Sequence, residues 1–391
     1  MRSLKADRSR LLALLLASVA LMGADARGPV GLKPGAYVQL DKAGLTKYLG
    51  RFTPSSSTAI GDGWTRHDYD ADEGNGPVCI AGTPYSIFTR AGDPSKLLIF
   101  EQGGGACWQD FYICNVAVED GALPPFPQVD EAGIWNRSNP ANPFADYSVV
   151  YMPYCDGSVF SGDNDVVDAN FPFGPVRLHR GLRNQSAGMD LAKALFPDAT
   201  RITLAGSSAG GMGVAIFAAF LARFEYGNAV DLTVFNDAGP VAMNLDPSQA
   251  SAIAARAADW QFGQFYTASC HQCDDMGQAF TSVIDWRLKN DRTIREAIYD
   301  TDGDLVDRFF FGLFGDQAAW RDLIVTQNGL LNDAYPDRYK RFFVAGDTSH
   351  TALQSPRFYT YDANGVLLSD WTADFLDHAA GWVDLVEPAV P

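Results

Sequence analysis

Positive charge, histidine and long apolar runs are all scarce in this 391-residue chain. Thirty Lys and Arg stand against 47 Asp and Glu, a net charge of −17. Such a surface repels nucleic acid and anionic membrane at long range, which excludes an electrostatic grip on a polyanion. Only five histidines exist, so few residues can serve as a neutral-pH base or a metal ligand. Cys270-His271-Gln272-Cys273 has zinc-like spacing, but no second Cys or His pair lies at ligand distance in the sequence, so no metal and no cofactor is expected. Beyond residue 22 no stretch is apolar enough to span a bilayer. Repeats, low-complexity tracts and linkers are missing too, which removes solenoids and gives no reason to divide the chain.

What is present begins with an export signal. Arg2, Lys5, Arg8 and Arg10 precede the short apolar run Leu11–Met22, and Ala24-Asp25-Ala26 supplies a small-residue cleavage site. Residues 1–26 are therefore expected to be removed, leaving 27–391 as one catalytic domain, secreted or periplasmic. Removal takes away four basic and two acidic side chains and moves the net charge two units further, to −19. Six cysteines in an exported chain predict disulfides. Cys107/Cys114 and Cys270/Cys273 are close enough for local loops, which would leave Cys79 for Cys155; the count alone does not fix the pairing.

Residues 28–75, rich in Gly, Ser, Asp and Thr, read as an irregular approach. After them come short β-branched or aromatic runs: 86–90, 97–101, 147–152, 201–205, 232–236 and 341–345. Several lack polar alternation, as strands buried on both faces do. Helix-like stretches at 183–195, 209–224, 305–314 and 317–325 separate them. Alternating strand and helix predicts an α/β fold with a mostly parallel sheet flanked by helices and stapled by disulfides. Pro124–Pro127 and Asn139–Pro143 read as loops within it.

The strongest local signal is Gly206-Ser207-Ser208-Ala209-Gly210, after a strand and before an apolar helix. That is the setting of a G-x-S-x-G nucleophile elbow of the α/β-hydrolase type, with Ser208 in the nucleophile position. A second strand, Leu98–Glu101, runs into Gly103-Gly104-Gly105, so the amides of Gly104, Gly105 and Ala209 are the candidate oxyanion hole. The order serine, acid, histidine restricts the base to His271, His350 or His378. His350 follows an apolar strand and a short polar loop, which favours it. Asp300, Asp302 and Asp304 compete for the acid. Asp304 is favoured because it directly precedes the apolar segment Leu305–Phe311. Asp237, at another strand end, reads as a turn cap. Trp108, Tyr112 and Trp135 read as core or as walls of a substrate pocket.

The segments Phe100–Trp108, Val150–Gly162, His179-Arg180-Gly181, Leu204–Gly211 and Asn236–Gly239 occur in an order that resembles the pectin acetylesterase/Notum family of secreted carboxylesterases. The resemblance implies a Ser-Asp-His triad that maps Ser208 and His350, oxyanion donors at Gly104, Gly105 and Ala209, and disulfides Cys79–Cys155 and Cys107–Cys114. It implies hydrolysis of a short, acetyl-like O-acyl ester, on an acylated polysaccharide or a small ester, through an acyl-enzyme. Polyester or lipid-acyl substrates, and an inactive extracellular binding protein of the same fold, are the alternatives.

Overall fold

The computed structural model describes residues 31–71, 75–120, 132–242, 244, 246–273 and 280–390. The expected leader (1–26) and the Pro124–Pro127 loop lie outside the described residues. Ten strands form the central sheet: β1 (Ser56–Gly61), β2 (Trp64–Asp68), β3 (Ser86–Arg90), β4 (Asp93–Glu101), β5 (Tyr147–Met152), β6 (Arg201–Ser207), β7 (Asp231–Asp237), β8 (Arg295–Thr301), β9 (Tyr339–Val344) and β10 (Leu385–Val386). Their order across the sheet is β1-β2-β3-β5-β4-β6-β7-β8-β9-β10. Antiparallel pairing joins β1, β2, β3 and β5, and from β5 to β10 all neighbours are parallel.

Nine α-helical segments occur among the described residues: α1 (Pro34–Lys42), α2 (Gly181–Leu195), α3 (Ala209–Gly213), α4 (Ala219–Tyr226), α5 (Ala250–Trp260), α6 (Thr281–Asn290), α7 (Leu305–Phe310), α8 (Gln317–Ala334) and α9 (Leu368–Leu376). A π-turn, Val214–Ala218, joins α3 to α4. None of the described helices is long and apolar enough to cross a membrane.

The uninterrupted apolar runs form the middle of the sheet. Leu97, Leu98, Ile99 and Phe100 of β4, all of β5, and Ile202, Leu204 and Ala205 of β6 are buried. Helical cover on both faces explains why those strands need no polar side. The expectation of an irregular stretch over 28–75 is wrong: α1 and the β1–β2 hairpin occupy it. β1 is an edge strand whose side chains are almost all exposed, so no apolar pattern marked it. Elsewhere α7 stops at Phe310, short of the expected 314, and α8 continues to Ala334, beyond the expected 325.

Disulfides link Cys79 to Cys155, Cys107 to Cys114 and Cys270 to Cys273. The first ties the start of β3 to the loop after β5. The second closes the two-stranded ribbon Gly105–Trp108/Phe111–Cys114 that carries the glycine loop.

Candidate active site

The parallel strands β4, β6, β7, β8 and β9 deliver the candidate residues to one edge of the sheet, at their C-terminal ends. Ser208 follows β6 with φ 56° and ψ −121°, a conformation L-residues rarely adopt. Small neighbours permit it. A Cβ on Gly206 would overlap the carbonyl oxygen of Gly210, and one on Gly210 would overlap that of Glu101. The Ser208 N–H donates to the Asp237 carbonyl at 2.8 Å, fixing the turn against β7. These contacts hold the Ser208 side chain, which is partly exposed, above the sheet edge.

Of the three aspartates, Asp304 is the one bonded to His350. Nδ1–H of His350 donates to Oδ2 of Asp304 at 2.6 Å. A carboxylate can only accept, so this bond leaves Nε2 as the acceptor nitrogen. Nε2 is buried with no hydrogen-bond partner among the described residues. Asp304 is itself rigid: its other oxygen accepts from the N–H groups of Val306 and Asp307, each at 2.9 Å, as the N-cap of α7. The rival acids point elsewhere. Asp300 accepts from the Thr301 amide, while Asp302 holds Arg321, Gln317 and the Gly346 amide.

Asp237 does more than cap a turn. It is fully buried and accepts from Ser207 Oγ at 2.5 Å and from the amides of Ala352 and Leu353 at 2.7 and 3.1 Å. One carboxyl thus ties the residue before the candidate nucleophile to the loop carrying His350. Burial raises its pKa and those bonds oppose the rise. The same loop hangs on β8 through Thr301 Oγ1 donating to the Ser349 carbonyl at 2.7 Å. Only tertiary contacts reveal these roles.

The other histidines are placed away from this arrangement. His378 is exposed and pairs with Asp231, and His271 is exposed between two bridged cysteines. His67 is hydrogen-bonded to Ser57 and Thr89 in the β1–β3 region. His179 is buried against Arg177.

A small cavity of about 40 Å³ opens beside Ser208. Gly105 and Ala209 line it; Gly104 does not, and its carbonyl accepts from the Asn115 amide. Gly105 has φ +77°, and a Cβ there would overlap the Ile113 carbonyl oxygen. The remaining walls are mostly apolar: Trp108, Val159, Met212, Pro240, Trp260, Phe310 and Phe311, with Arg256 and Asp307 as the charged exceptions. Of the three aromatics singled out in the sequence, Trp108 alone faces this space. Tyr112 bonds Asp168, and Trp135 packs on Phe100 in the core.

Asp307 escaped the sequence reading although it lies three residues after Asp304, on the same helical face. One of its oxygens is 3.8 Å from His350 Nδ1 and the other has no partner among the described residues. Burial, then the Asp304 charge, raises its carboxyl well above the usual range. Asp304, Asp307 and His350 lie close enough together to hold a cation. Yet Asp304 Oδ2 and His350 Nδ1 are already spent on each other.

The pectinacetylesterase family profile matches residues 69–278, just over half of the chain. A palmitoleoyl-protein carboxylesterase of Xenopus laevis, notum2, is 30% identical over 147 residues, covering 36% of this chain and 29% of that protein. The aligned part is thus under a third of the relative's length. The solved structure of a Wnt deacylase, Notum from Drosophila, superposes with a TM-score of 0.55 at 15% identity, covering 81% of this chain and 94% of that one. That likeness is one of fold. Taken with the glycine loop, the serine elbow and the disulfide framework, the match establishes that the chain belongs to the pectinacetylesterase family.

Proposed function

We propose that this protein is an exported serine esterase that hydrolyses short O-acyl esters, with Ser208 as nucleophile, His350 as base and Asp304 as the acid that orients it. The observation that carries the reading is the state of His350: one nitrogen is bonded to a buried, helix-capping carboxylate, and the other is free at the sheet edge that presents Ser208.

The chemistry follows from that arrangement. His350 Nε2 takes the proton as Ser208 Oγ attacks the ester carbonyl, and Asp304 stabilises the resulting imidazolium. The amides of Gly105 and Ala209, residues that line the cavity beside Ser208, serve as oxyanion donors in this reading, with Gly104 adjacent; one such donor supplies about 3 kcal/mol of barrier stabilisation. Collapse expels the alcohol, which receives the proton from His350. Water then repeats the cycle on the acyl-enzyme. No step calls for a cofactor.

The small, mostly apolar cavity beside Ser208 supports a short acyl group. The family name supports an acetylated polysaccharide as the bearer of that group. Three disulfides support an oxidising compartment. A series of p-nitrophenyl esters from acetyl to palmitoyl, followed by acetylated pectin and xylan, tests the reading. Acetyl and propionyl esters should turn over fastest, and Ser208→Ala should abolish turnover without loss of fold. An optimum at long chains overturns the short-acyl assignment. A chain inert towards every ester is a binding protein.

A further inference from the structure

Arg256, on α5, contributes to the cavity wall beside Ser208. Its guanidinium lies over the Trp108 ring, 5.2 Å from the ring centre to Cζ. That contact uses one face of a planar group whose five N–H donors project from its edge. Among the described residues no carboxylate pairs with it and no acceptor takes its hydrogen bonds. Arg256 is half-buried, whereas the deeply buried guanidiniums of Arg177, Arg223 and Arg287 each hold an aspartate or glutamate at 2.6–2.7 Å. In a protein with a large excess of acid, a partnerless arginine in a mostly apolar cavity is a place kept for an anion from outside.

The cavity also has a side. The leaving alcohol departs past His350 Nε2, which returns its proton; His350 itself is absent from this wall, which meets it only through Asp307, 3.8 Å from the opposite ring nitrogen. Ser208 and the oxyanion donors are part of it. The space therefore takes the acyl half of the ester.

We propose that Arg256 binds a carboxylate carried by the acyl group, so that the preferred substrates are half-esters of short dicarboxylic acids. This rests on the esterase reading above and narrows its acyl class. Burial lowers Arg256 to about 10, so it stays charged at neutral pH. Burial and the Asp304 charge raise the Asp307 carboxyl on the same wall, which favours its neutral form and weakens its repulsion of an incoming anion.

The test uses the full mature chain and ethanol release from monoethyl succinate, from its uncharged counterpart ethyl succinamate, and from ethyl acetate. Wild type should favour the succinate over the succinamate by about tenfold or more in kcat/KM, the range of one charge-assisted hydrogen bond. Arg256→Gln should bring that ratio to near one, and Arg256→Lys should retain part of it. Because each ratio is internal to one protein, a general loss of activity does not mimic the effect. If Arg256→Gln does not fold, the wild-type and Arg256→Lys ratios still decide. A wild-type ratio near one overturns the proposal. So does a charge preference that appears only when the carboxylate sits on the alcohol, as in O-acetylglycolate against O-acetylglycolamide. Ester hydrolysis lost with Ser208→Ala but without any charge preference would sink this inference and leave the esterase reading standing. Inertness towards all the esters would sink both.

Discussion

Ser208 and the Asp304–His350 pair stand at strand ends on one edge of the sheet, separated by β7, yet the chain holds them by different means. Ser208 is fixed by backbone: glycines at 206 and 210 let β4, β6 and α3 approach so closely that a methyl group would collide with a carbonyl oxygen. His350 is fixed by side chains drawn from afar. Asp304 is 46 residues upstream, and Asp237 grips the amide of Ala352 from 115 residues before it. Local steric need constrains the first half, and long-range polar contacts constrain the second. The two halves should therefore fail differently when altered.

The largest effect is expected from the acid. Asp304→Asn keeps an N-cap side chain for α7, so stability should move by less than about 1 kcal/mol. It removes the acceptor that fixes the imidazole tautomer, and kcat should fall by roughly 10⁴-fold. Asp300→Asn, only four residues away, leaves the His350 contact intact and should change kcat no more than a few-fold. Parallel ester assays with thermal melts decide the matter. An Asp300→Asn loss as deep as that of Asp304→Asn would refute the assignment of the acid.

A smaller thermodynamic effect, but on both fold and activity, is expected on the nucleophile side. Gly210→Ala forces a methyl group against the Glu101 carbonyl, a backbone atom that cannot rotate away. Overpacking of this kind costs about 2–3 kcal/mol. Displacement of the elbow should also abolish turnover. Urea unfolding measures the first and the ester assay the second. If Gly210→Ala melts like wild type and remains active, the elbow is not sterically saturated and the contrast between the two halves fails.

The same division explains what could be read in advance. G-x-S-x-G and the triple glycine are legible because a close approach of chains leaves its mark in consecutive residues. Buried strands such as Tyr147–Met152 are legible for a similar reason, since burial on both faces demands an unbroken apolar run. Asp300, Asp302 and Asp304 could not be separated with certainty, because which of them meets His350 depends on how the loop after β9 folds over β8. Asp237 looked like a turn residue because its three partners lie 30 or more positions away. The cavity wall was hidden as well. Arg256 and Trp260 come from α5, a helix whose alanine-rich sequence is mostly on the surface and gave no core signal. The edge hairpin β1–β2 was missed because an exposed edge strand needs no apolar pattern.

The smallest effect sharpens the account of what makes His350 a base, by comparison with another buried histidine. His350 rests on the carboxylate of Asp304, 2.6 Å from its Nδ1. His179 rests on Arg177, whose Nη1 lies 2.7 Å from its Nε2. Burial first, and then the Arg177 charge, lower the His179 pKa from 6.5 to about 4. The native state therefore binds fewer protons than the unfolded chain between those values. Stability linked to His179 is fully present above pH 6.5 and is lost as the pH falls towards 4, by roughly 3 kcal/mol in total. His179→Gln should flatten the difference: the gap in unfolding free energy between wild type and variant, measured in urea at steps from pH 7.5 to 4, should shift against wild type as acid is added. Other carboxyl groups titrate in the same window in both proteins and cancel in that gap. Parallel curves would mean that His179 accepts its proton as easily in the fold as out of it, and burial beside a cation would then not be what separates His179 from the carboxylate-bonded His350.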